Sequence, residues 1–385
     1  MRDGGISLAR IRLVATAAFA LESVVAQELR DLGYDELEIE NNQVTFWAEE
    51  AAIARCNLWL RVADRVRLLL GRFTAQTFDE LFERTKALPW ADWLPQNARF
   101  PVQGKSVRSQ LSSVPDCQAV VKKAIVESLK QRYRQDWFNE DGPVYPIEVA
   151  ILKDTVSLTI DTSGTALHKR GYRTLISEAP LKETLAAALI KLSYWDATRT
   201  FVDPFCGSGT LPIEAAMIGQ NRAPGLQRTF AAEQWPALSG ELWQRARAEA
   251  ASLQRLDQPL AIIGTDIDGQ VLKAARQNAT AAGVARHIHF QEMEMSELQS
   301  SRKYGVVICN PPYGERLGDR ESVERLYREM GNTLGQLETW SHYVLTAFPE
   351  FERFFGRRAD RRRKLYNGDI MCQYYQYYGP RPPRE

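Results

Sequence analysis

The segment Asn310-Pro-Pro-Tyr313 carries the residue types best suited to chemistry in this chain of 385 residues. It follows the apolar run 305–309, which predicts a buried strand. Two consecutive prolines cannot continue a strand, so the chain leaves the sheet with its carbonyl groups exposed and rigidly directed. Asn310 offers a side-chain carbonyl and Tyr313 a flat ring. This turn could therefore accept both hydrogens of an exocyclic amine and stack the base that bears it.

The amine of guanine or adenine is a poor nucleophile because its lone pair is delocalised into the ring. Acceptors that fix the amine protons out of the ring plane free that pair for attack. The turn therefore predicts a transfer reaction at a nucleobase amine, with Asn310, Pro311, Pro312 and Tyr313 as the catalytic residues. A strand that ends in Asn-Pro-Pro for structural reasons alone is the alternative.

A second candidate site begins at Asp203, at the end of the apolar run 200–204. Gly207 and Gly209 follow in a turn, where glycine lets the backbone approach a ligand closely. Parallel sheets bind their ligands at such carboxyl ends of strands. Pro212 stands at the third glycine position of a dinucleotide fingerprint, which disfavours a pyrophosphate cradle. The acid before the turn favours a cationic ligand instead.

Two more acidic residues follow later strands. Asp266 ends the run 261–266, where a carboxylate can accept both hydroxyl groups of a ribose. Asp268 is better placed to cap the next helix. Glu294 follows the third strand, where it would meet the edge of an adenine ring. The sequence thus predicts a ribose contact at Asp266 and an adenine contact at Glu294.

The elements that must position these residues alternate between strand and helix. From about residue 180 onward, buried apolar strands alternate with helical stretches, which predicts a doubly wound parallel α/β sheet. The order β-α-β-α-β over residues 10–70 fits a small ferredoxin-like α+β unit. We expect three domains, with boundaries at 1–65, 66–165 and 166–385.

The charge balance limits where a nucleic acid could bind. The chain has 49 basic and 48 acidic side chains, so such a site must be a local patch. Seven basic residues fall within positions 353–364, flanked by aromatic residues, and favour RNA contact over a merely solvated stretch. The candidate RNA contacts are Lys105, Arg108, Lys122, Lys123, Arg357, Arg358, Arg361, Arg362, Arg363 and Lys364.

Several other kinds of protein are disfavoured. The five cysteines are widely spaced, so no disulfide framework or zinc site is predicted, and a reducing cytoplasm is the expected location. Cys206 and Cys309 are interpreted as small buried hydrophobic residues. No apolar run is long enough for a membrane span, and neither a metal nor a membrane partner is expected.

The chain resembles the class I S-adenosylmethionine-dependent RNA methyltransferases that carry a THUMP domain. The resemblance covers nearly the whole chain and rests on ordered motifs: Arg170-Gly-Tyr-Arg173, Ala179-Pro-Leu181, Asp203-Pro-Phe-Cys-Gly-Ser-Gly-Thr210, Gly264-Thr-Asp-Ile-Asp268, Asn310-Pro-Pro-Tyr-Gly314 and Lys364-Leu-Tyr-Asn-Gly368. Within that family it is most similar to the bacterial enzymes that make N2-methylguanosine in 23S ribosomal RNA.

The resemblance implies a C-terminal Rossmann-like domain with a seven-stranded doubly wound sheet. A ferredoxin-like domain and a THUMP domain, at 66–165, would precede it. The implied cofactor is S-adenosylmethionine, and the implied partner is RNA, either 23S ribosomal RNA or a pre-ribosomal particle. The residues expected around the cofactor are Pro180, Leu181, Asp203, Phe205, Gly207, Ser208, Gly209, Asp266, Ile267, Glu294 and Asn310. Glu294 stands where the family usually has aspartate.

Three other functions remain open at this stage. Asn-Pro-Pro-Tyr is shared with adenine-N6 methyltransferases, so methylation of adenine in a nucleic acid is one alternative. A non-catalytic RNA-binding or ribosome-assembly factor is another. A nicotinamide-dependent oxidoreductase is the weakest, because Pro212 interrupts the glycine fingerprint.

Overall fold

Two compact units make up the computed structural model, which describes residues 10–173, 181–312 and 320–383. The first unit comprises Met1–Ala17, Val25–Leu167 and Arg228–Glu249. The second comprises Ala18–Val24, His168–Gln227 and Ala250–Glu385. The expected boundaries at residues 65 and 165 stay predictions, and the grouping adds the segment Arg228–Glu249 to the N-terminal part of the chain.

The first unit is built on one mixed sheet in the order β2-β3-β1-β4-β7-β6-β5. Its strands are β1 (Ile11–Thr16), β2 (Leu37–Glu40), β3 (Gln43–Ala48), β4 (Arg65–Thr74), β5 (Val102–Val107), β6 (Ile147–Leu152) and β7 (Thr155–Asp161). The accompanying helices are α1 (Glu22–Asp31), α2 (Ala51–Trp59), α3 (Phe78–Lys86) and α4 (Val114–Tyr133). Because β4 pairs with both β1 and β7, a single sheet continues across the expected boundary at residue 65.

The second unit contains the predicted doubly wound sheet, in the order β10-β9-β8-β11-β12-β14-β13. Its strands are β8 (Phe201–Asp203), β9 (Ile262–Asp266), β10 (Ile288–Glu292), β11 (Val306–Cys309), β12 (Ser341–Thr346), β13 (Arg361–Asn367) and β14 (Ile370–Tyr377). Strands β8 to β12 pair in parallel, whereas β14 is antiparallel to both β12 and β13. The predicted fold is confirmed.

Burial explains why these strands read as continuous apolar runs. Every residue of β11 and of β12 is buried, as expected for parallel strands covered by helices on both faces. The helices that follow in the chain are α5 (Glu183–Lys191), α6 (Thr210–Gly219), α7 (Gly240–Ser252), α8 (Gly269–Ala281), α9 (Arg320–Gly335) and α10 (Phe351–Phe355). Helix α9 buries Val323, Tyr327 and Met330, which lie on one helical face.

The strand order creates a crevice at the middle of this sheet. From β8 the chain runs through β9 to β10 at one edge, and it then crosses back to β11 on the other side of β8. Such a reversal opens a space outside the carboxyl ends of the strands, which is where open α/β sheets bind ligands. Asp203 ends β8, Asp266 ends β9 and Asn310 follows β11, so all three are delivered to this crevice.

Candidate active site

The turn after β8 is closed by a backbone hydrogen bond from the Gly209 N–H to the Cys206 carbonyl, at 2.8 Å, and it contains two glycines with unusual backbone angles. Gly207 and Gly209 adopt φ values of 51° and 86°, in the left-handed region. A Cβ atom on Gly209 would lie 3.2 Å from both the Ala275 methyl group and the Phe290 ring. Both the backbone conformation and the space therefore require glycine at position 209.

Two carboxylates organise this turn. Asp266 Oδ2 accepts a hydrogen bond from the Gly207 N–H at 2.9 Å, which ties the end of β9 to the turn after β8. Asp203 is 1% exposed and accepts from the Phe205 N–H at 3.1 Å. Burial raises the pKa of the Asp203 carboxyl well above its usual range; the Phe205 N–H opposes this shift and the Asp266 charge adds to it.

A cavity of about 490 Å³ lies beside the turn and gathers most of the predicted cofactor contacts. Its lining consists of Pro204, Phe205, Gly207, Asp266, Ile267, Glu294, Met295, Ser296, Asn310, Pro312, Leu326 and Glu329. A smaller cavity of about 90 Å³ is lined by Leu181, Asp203, Phe205, Cys206, Gly207, Ser208, Thr210, Leu211 and Asn310. The two cavities share Phe205, Gly207 and Asn310, so they form adjoining parts of one site.

Asn310 has the most informative geometry in this site. Its side-chain Oδ1 is buried and accepts no hydrogen bond from any residue that the structure describes. A buried acceptor without a donor is costly, so a ligand that supplies a donor there would be favoured. Among the other residues predicted to be catalytic, Pro311 is buried, Pro312 lines the larger cavity, and Tyr313 lies outside the described residues.

Most of the other predicted cofactor contacts also reach the site. Ile267, which is 71% exposed, and Glu294 both line the larger cavity. Asp268 caps α8 through hydrogen bonds from the Gln270 and Val271 N–H groups, at 2.8 and 3.4 Å, as predicted. Pro180 lies outside the described residues. The binding roles of all these side chains stay predictions.

Several wall residues were not anticipated from the sequence. Leu326 and Glu329 project from α9 into the lining of the larger cavity, three residues apart and therefore neighbours on one helical face. Met295 and Ser296 follow Glu294. The amphipathic pattern of α9 predicts which side of the helix is buried. It does not predict which other part of the protein the edge of that buried side contacts.

A buried charged cluster supports the start of α6, which follows the glycine turn. Arg170 and Glu214 form an ion pair at 3.4 Å, and their side chains are 2% and 0% exposed. Tyr172 donates to the same Glu214 carboxylate at 3.3 Å. Arg173 donates to Thr210 Oγ1 at 2.8 Å and pairs with Glu183 at 3.1 Å. The sequence indicated the segment Arg170–Arg173 only as a motif of the resembled family. In the structure this segment is part of the scaffold behind the site.

The cysteines near the site have no features of nucleophiles. Cys206 and Cys309 are buried. Burial raises the pKa of both thiols well above their usual range, and the charge of Asp203 adds to this shift. The thiolate form is therefore disfavoured, in agreement with their interpretation as buried hydrophobic residues.

Some of the predicted RNA contacts form ion pairs with carboxylates of the protein, and the others differ in their exposure. In the first unit, Lys122 pairs with Glu140 at 2.6 Å and lies 4.0 Å from the Phe100 ring, and Lys105 pairs with Glu148 at 3.1 Å. Arg108 and Lys123 are exposed residues of that unit.

In the second unit, two of the predicted RNA contacts are engaged by carboxylates. The Arg362 Nε atom donates to Glu352 at 2.9 Å, and Arg357 pairs with Asp360 at 3.5 Å. Arg358, Arg361 and Lys364 are exposed, and Arg363 is half-buried. The RNA-binding roles stay predictions for all ten residues.

The described residues contain neither a membrane-spanning helix nor a metal-binding cluster. No helix there is both long and apolar enough to span a bilayer. No group of three or more histidine, cysteine, aspartate or glutamate side chains is arranged there to hold a metal ion.

Comparison with known families accounts for the chain in three segments. An RlmL ferredoxin-like domain matches residues 12–67, a THUMP domain matches 75–161, and an RMKL-like methyltransferase domain matches 170–376. The chain belongs to the RMKL-like methyltransferase family. The predicted family and the predicted cofactor, S-adenosylmethionine, are thereby confirmed.

Relatives of this methyltransferase extend over the full chain. The Bacillus subtilis protein named "Putative RNA methyltransferase YpsC" is 50% identical and covers 97% of both chains. The "Ribosomal RNA large subunit methyltransferase K/L" of Syntrophotalea carbinolica is 35% identical over 95% of this chain, but this chain spans only 53% of that protein. Both of these relatives are named as RNA methyltransferases.

Solved structures of similar proteins have the same fold. A predicted N6-adenine-specific DNA methylase from Listeria monocytogenes is 54% identical, with a TM-score of 0.93 over 96% of this chain and 97% of that one. SMU.472, described as a methyltransferase complexed with SAH, is 46% identical, with a TM-score of 0.92 over 97% and 99% of the two chains. SAH is the product that S-adenosylmethionine leaves after methyl transfer.

Proposed function

We propose that this methyltransferase transfers a methyl group from S-adenosylmethionine to the exocyclic N2 amine of a guanosine in RNA, and that the RNA is 23S ribosomal RNA. The observation that carries the proposal is the buried Asn310 Oδ1 in the cavity wall, an acceptor that lacks a donor among the described residues. The Syntrophotalea relative, named for the large ribosomal subunit, supports the choice of RNA.

The residues fit a cofactor of this kind. S-adenosylmethionine supplies an electrophilic methyl group on a sulfonium, together with an ammonium, a ribose and an adenine. Asp203 in the smaller cavity would face the ammonium, and Asp266 would accept from the ribose hydroxyl groups. Glu294 in the larger cavity would meet the adenine edge. The crevice therefore offers one acidic partner for each donor-rich part of the cofactor.

Catalysis in this proposal depends on positioning. Asn310 Oδ1 and the carbonyl groups of the Asn-Pro-Pro turn would accept hydrogen bonds from the two amine hydrogens and direct the nitrogen lone pair into the site. Pro311 and Pro312 hold the backbone of the turn rigid, so little reorganisation is needed. A target guanine within an RNA helix must leave its stack, at a cost of a few kcal/mol.

The test is incubation with labelled S-adenosylmethionine and unmodified bacterial 23S RNA, followed by nucleoside chromatography. Label in N2-methylguanosine is expected. Label in N6-methyladenosine would favour the adenine alternative, in line with the name of the Listeria structure. Intact cofactor binding without transfer to any RNA would instead favour a ribosome-assembly factor.

Cofactor affinity should depend on pH through Asp203. Burial raises its pKa in the protein without cofactor, so the carboxyl keeps its proton to a higher pH than usual, and binding of the cofactor ammonium favours release of that proton. We therefore expect affinity for S-adenosylmethionine to rise with pH through the raised pKa and then to level off. Calorimetric titration across the pH range in which the protein stays folded, in buffers of different ionisation enthalpy, measures both the affinity and the proton released.

The control for this prediction is Asp203→Asn. Asparagine keeps the size and the acceptor oxygen but cannot titrate, so the variant should bind more weakly and lose the pH dependence. An identical pH dependence in Asp203→Asn and in the wild type would assign the effect to another group.

The basic strand β13 should contribute to RNA binding through charge. Reversal of Arg361, Arg362 and Arg363 to glutamate should weaken binding of 23S RNA and flatten its salt dependence, by about 0.7 to 0.9 in log-log slope per lost phosphate contact. Affinity for S-adenosylmethionine should not change. Filter binding over a series of salt concentrations measures the slope, and an unchanged slope would contradict the prediction.

A further inference from the structure

The hairpin formed by β13 and β14 extends past the rest of the sheet on the side of the active site. The last residue of β12, Thr346, pairs with Gln373 of β14. Three residues of β14 precede that position, and they pair only with β13, where Tyr366 is opposite Met371 and Asn367 is opposite Ile370. The tip of the hairpin therefore projects beyond the carboxyl edge of β12.

This edge is the one that carries Asn310. Strands β12 and β11 are parallel, and β13 runs in the same direction because both β12 and β13 are antiparallel to β14. The carboxyl end of β13 thus lies on the same edge as the Asn-Pro-Pro turn. At about 4.8 Å per strand, β14 and β13 stand roughly 10 and 14 Å to the side of β11.

One face of the tip presents flat and polarizable side chains. Lys364 and Tyr366 are two residues apart on β13 and share this face, as does Met371 opposite Tyr366. Phe19, a residue of the same compact unit, lies edge-on to Tyr366 with ring centroids 5.9 Å apart. The Lys364 Nζ atom is 5.5 Å from the Tyr366 ring. We call Phe19, Lys364, Tyr366 and Met371 the tip face.

The tip face is accessible despite its apolar character. Phe19 and Met371 are 47% and 46% exposed, Lys364 is also exposed, and Tyr366 is half-buried. Aromatic rings next to a cation form the usual platform for unpaired bases, because every base has a flat face and every nucleotide a phosphate. Removal of a base from a helix leaves its neighbours unstacked and in need of such a platform.

We propose that the tip face stacks an unpaired RNA base near the target nucleotide, while Lys364 contacts the adjacent phosphate. This inference rests on the proposed function, because it takes RNA as the substrate. In this proposal the tip face selects RNA in which the bases beside the target base are unpaired. It also gives a use to the motif Lys364-Leu-Tyr-Asn-Gly368, which none of the cofactor contacts requires.

The decisive variant is Tyr366→Leu, which keeps an apolar contact for Phe19 but removes the flat ring. Its affinity for unmodified 23S RNA should fall about 5- to 100-fold, the loss expected for one stacked base. The slope of log affinity against log salt should not change, because no charge is removed. Lys364→Gln should instead lower that slope by about one. Tyr366→Phe, which retains the ring, should bind as the wild type does.

A matched control is Tyr194→Leu. Tyr194 is 53% exposed and also touches another aromatic ring, that of Tyr378 at 4.9 Å. Tyr378 follows β14 at its other end, so this pair lies on the opposite edge of the sheet. Tyr194→Leu should leave RNA affinity unchanged. Equal affinities for Tyr366→Leu and Tyr194→Leu would overturn the proposal, as would a loss in Tyr366→Leu that is accompanied by a changed salt slope.

Two further readouts separate the possible failures. Affinity for S-adenosylmethionine should be unchanged in Tyr366→Leu; if that variant does not fold, Met371→Ala tests the same face at a position that is 46% exposed. Methyl transfer is measured separately from RNA binding. Wild-type protein that binds 23S RNA without methylating it would contradict the proposed function. The RNA affinities of Tyr366→Leu and Tyr194→Leu could still be compared in that case.

Discussion

Asn310→Ala should lower kcat for methyl transfer by about 10²- to 10³-fold, the range found when a single preorganised polar contact to the reacting group is removed. The buried Oδ1 of Asn310 accepts no hydrogen bond within the described part of the chain, so its acceptor capacity is available to the substrate amine. Without that acceptor, the amine protons would not be fixed and the nitrogen lone pair would stay delocalised. Single-turnover kinetics with saturating RNA and cofactor measure this step directly.

Asn310→Asp is the matched control. A carboxylate has the same shape and still accepts from the amine, so this variant should retain much more activity than Asn310→Ala. Binding of S-adenosylmethionine should be compared in both variants, because Asn310 also lines the part of the site next to Asp203. If Asn310→Ala lost only cofactor affinity and kept its kcat, Asn310 would be a binding residue and not a catalytic one.

The motifs predicted the centre of the site because each lies at the end of a strand. Asp203, Asp266 and Asn310 each follow an apolar run, and parallel strands bring their carboxyl ends to one edge. That these three residues lie close together therefore follows from the order of the strands, and no knowledge of side-chain contacts is needed. The same logic placed the capping residue Asp268 at the start of α8.

The margins of the site could not be predicted in this way. Leu326 and Glu329 reach the cavity from α9, and the apolar period of a helix indicates which side is buried without indicating what it packs against. The segment Arg228–Glu249 groups with the first unit although the residues on both sides of it belong to the second. Contacts between segments far apart in the chain have no local signal.

The charges of the predicted RNA contacts illustrate the same limit. The basic run near residue 360 was visible in the sequence, but its partners were not. Arg362 is engaged by Glu352, ten residues earlier, whereas Arg361 is exposed. Sequence therefore identified a basic strand, and only the structure shows which of its charges are already compensated.

Removal of one partner of the buried pair Arg170–Glu214 should be the most destabilising of the changes considered. Arg170→Met would leave the Glu214 carboxylate, which is fully buried, without this cation and with the hydrogen bond from the uncharged Tyr172 hydroxyl. Loss of one member of such a pair costs about 3 to 5 kcal/mol, because the other charge stays out of water. We expect a large decrease in the midpoint of thermal unfolding of the second unit, and weaker binding of S-adenosylmethionine, since Glu214 belongs to α6, which begins at the glycine turn.

The double variant Arg170→Met with Glu214→Gln shows whether Arg170→Met is unstable because Glu214 keeps an unpaired buried charge or because packing is lost. Both side chains keep nearly their original volume, but no buried charge remains, so much of the stability should return. Thermal unfolding followed with and without cofactor measures both effects in the intact chain. If the double variant were as unstable as the sum of the two single variants, the pair would act through shape alone. Recovery of stability together with cofactor affinity would show that the buried charges are tolerated only as a pair, and that the glycine turn depends on α6 being held in place from behind.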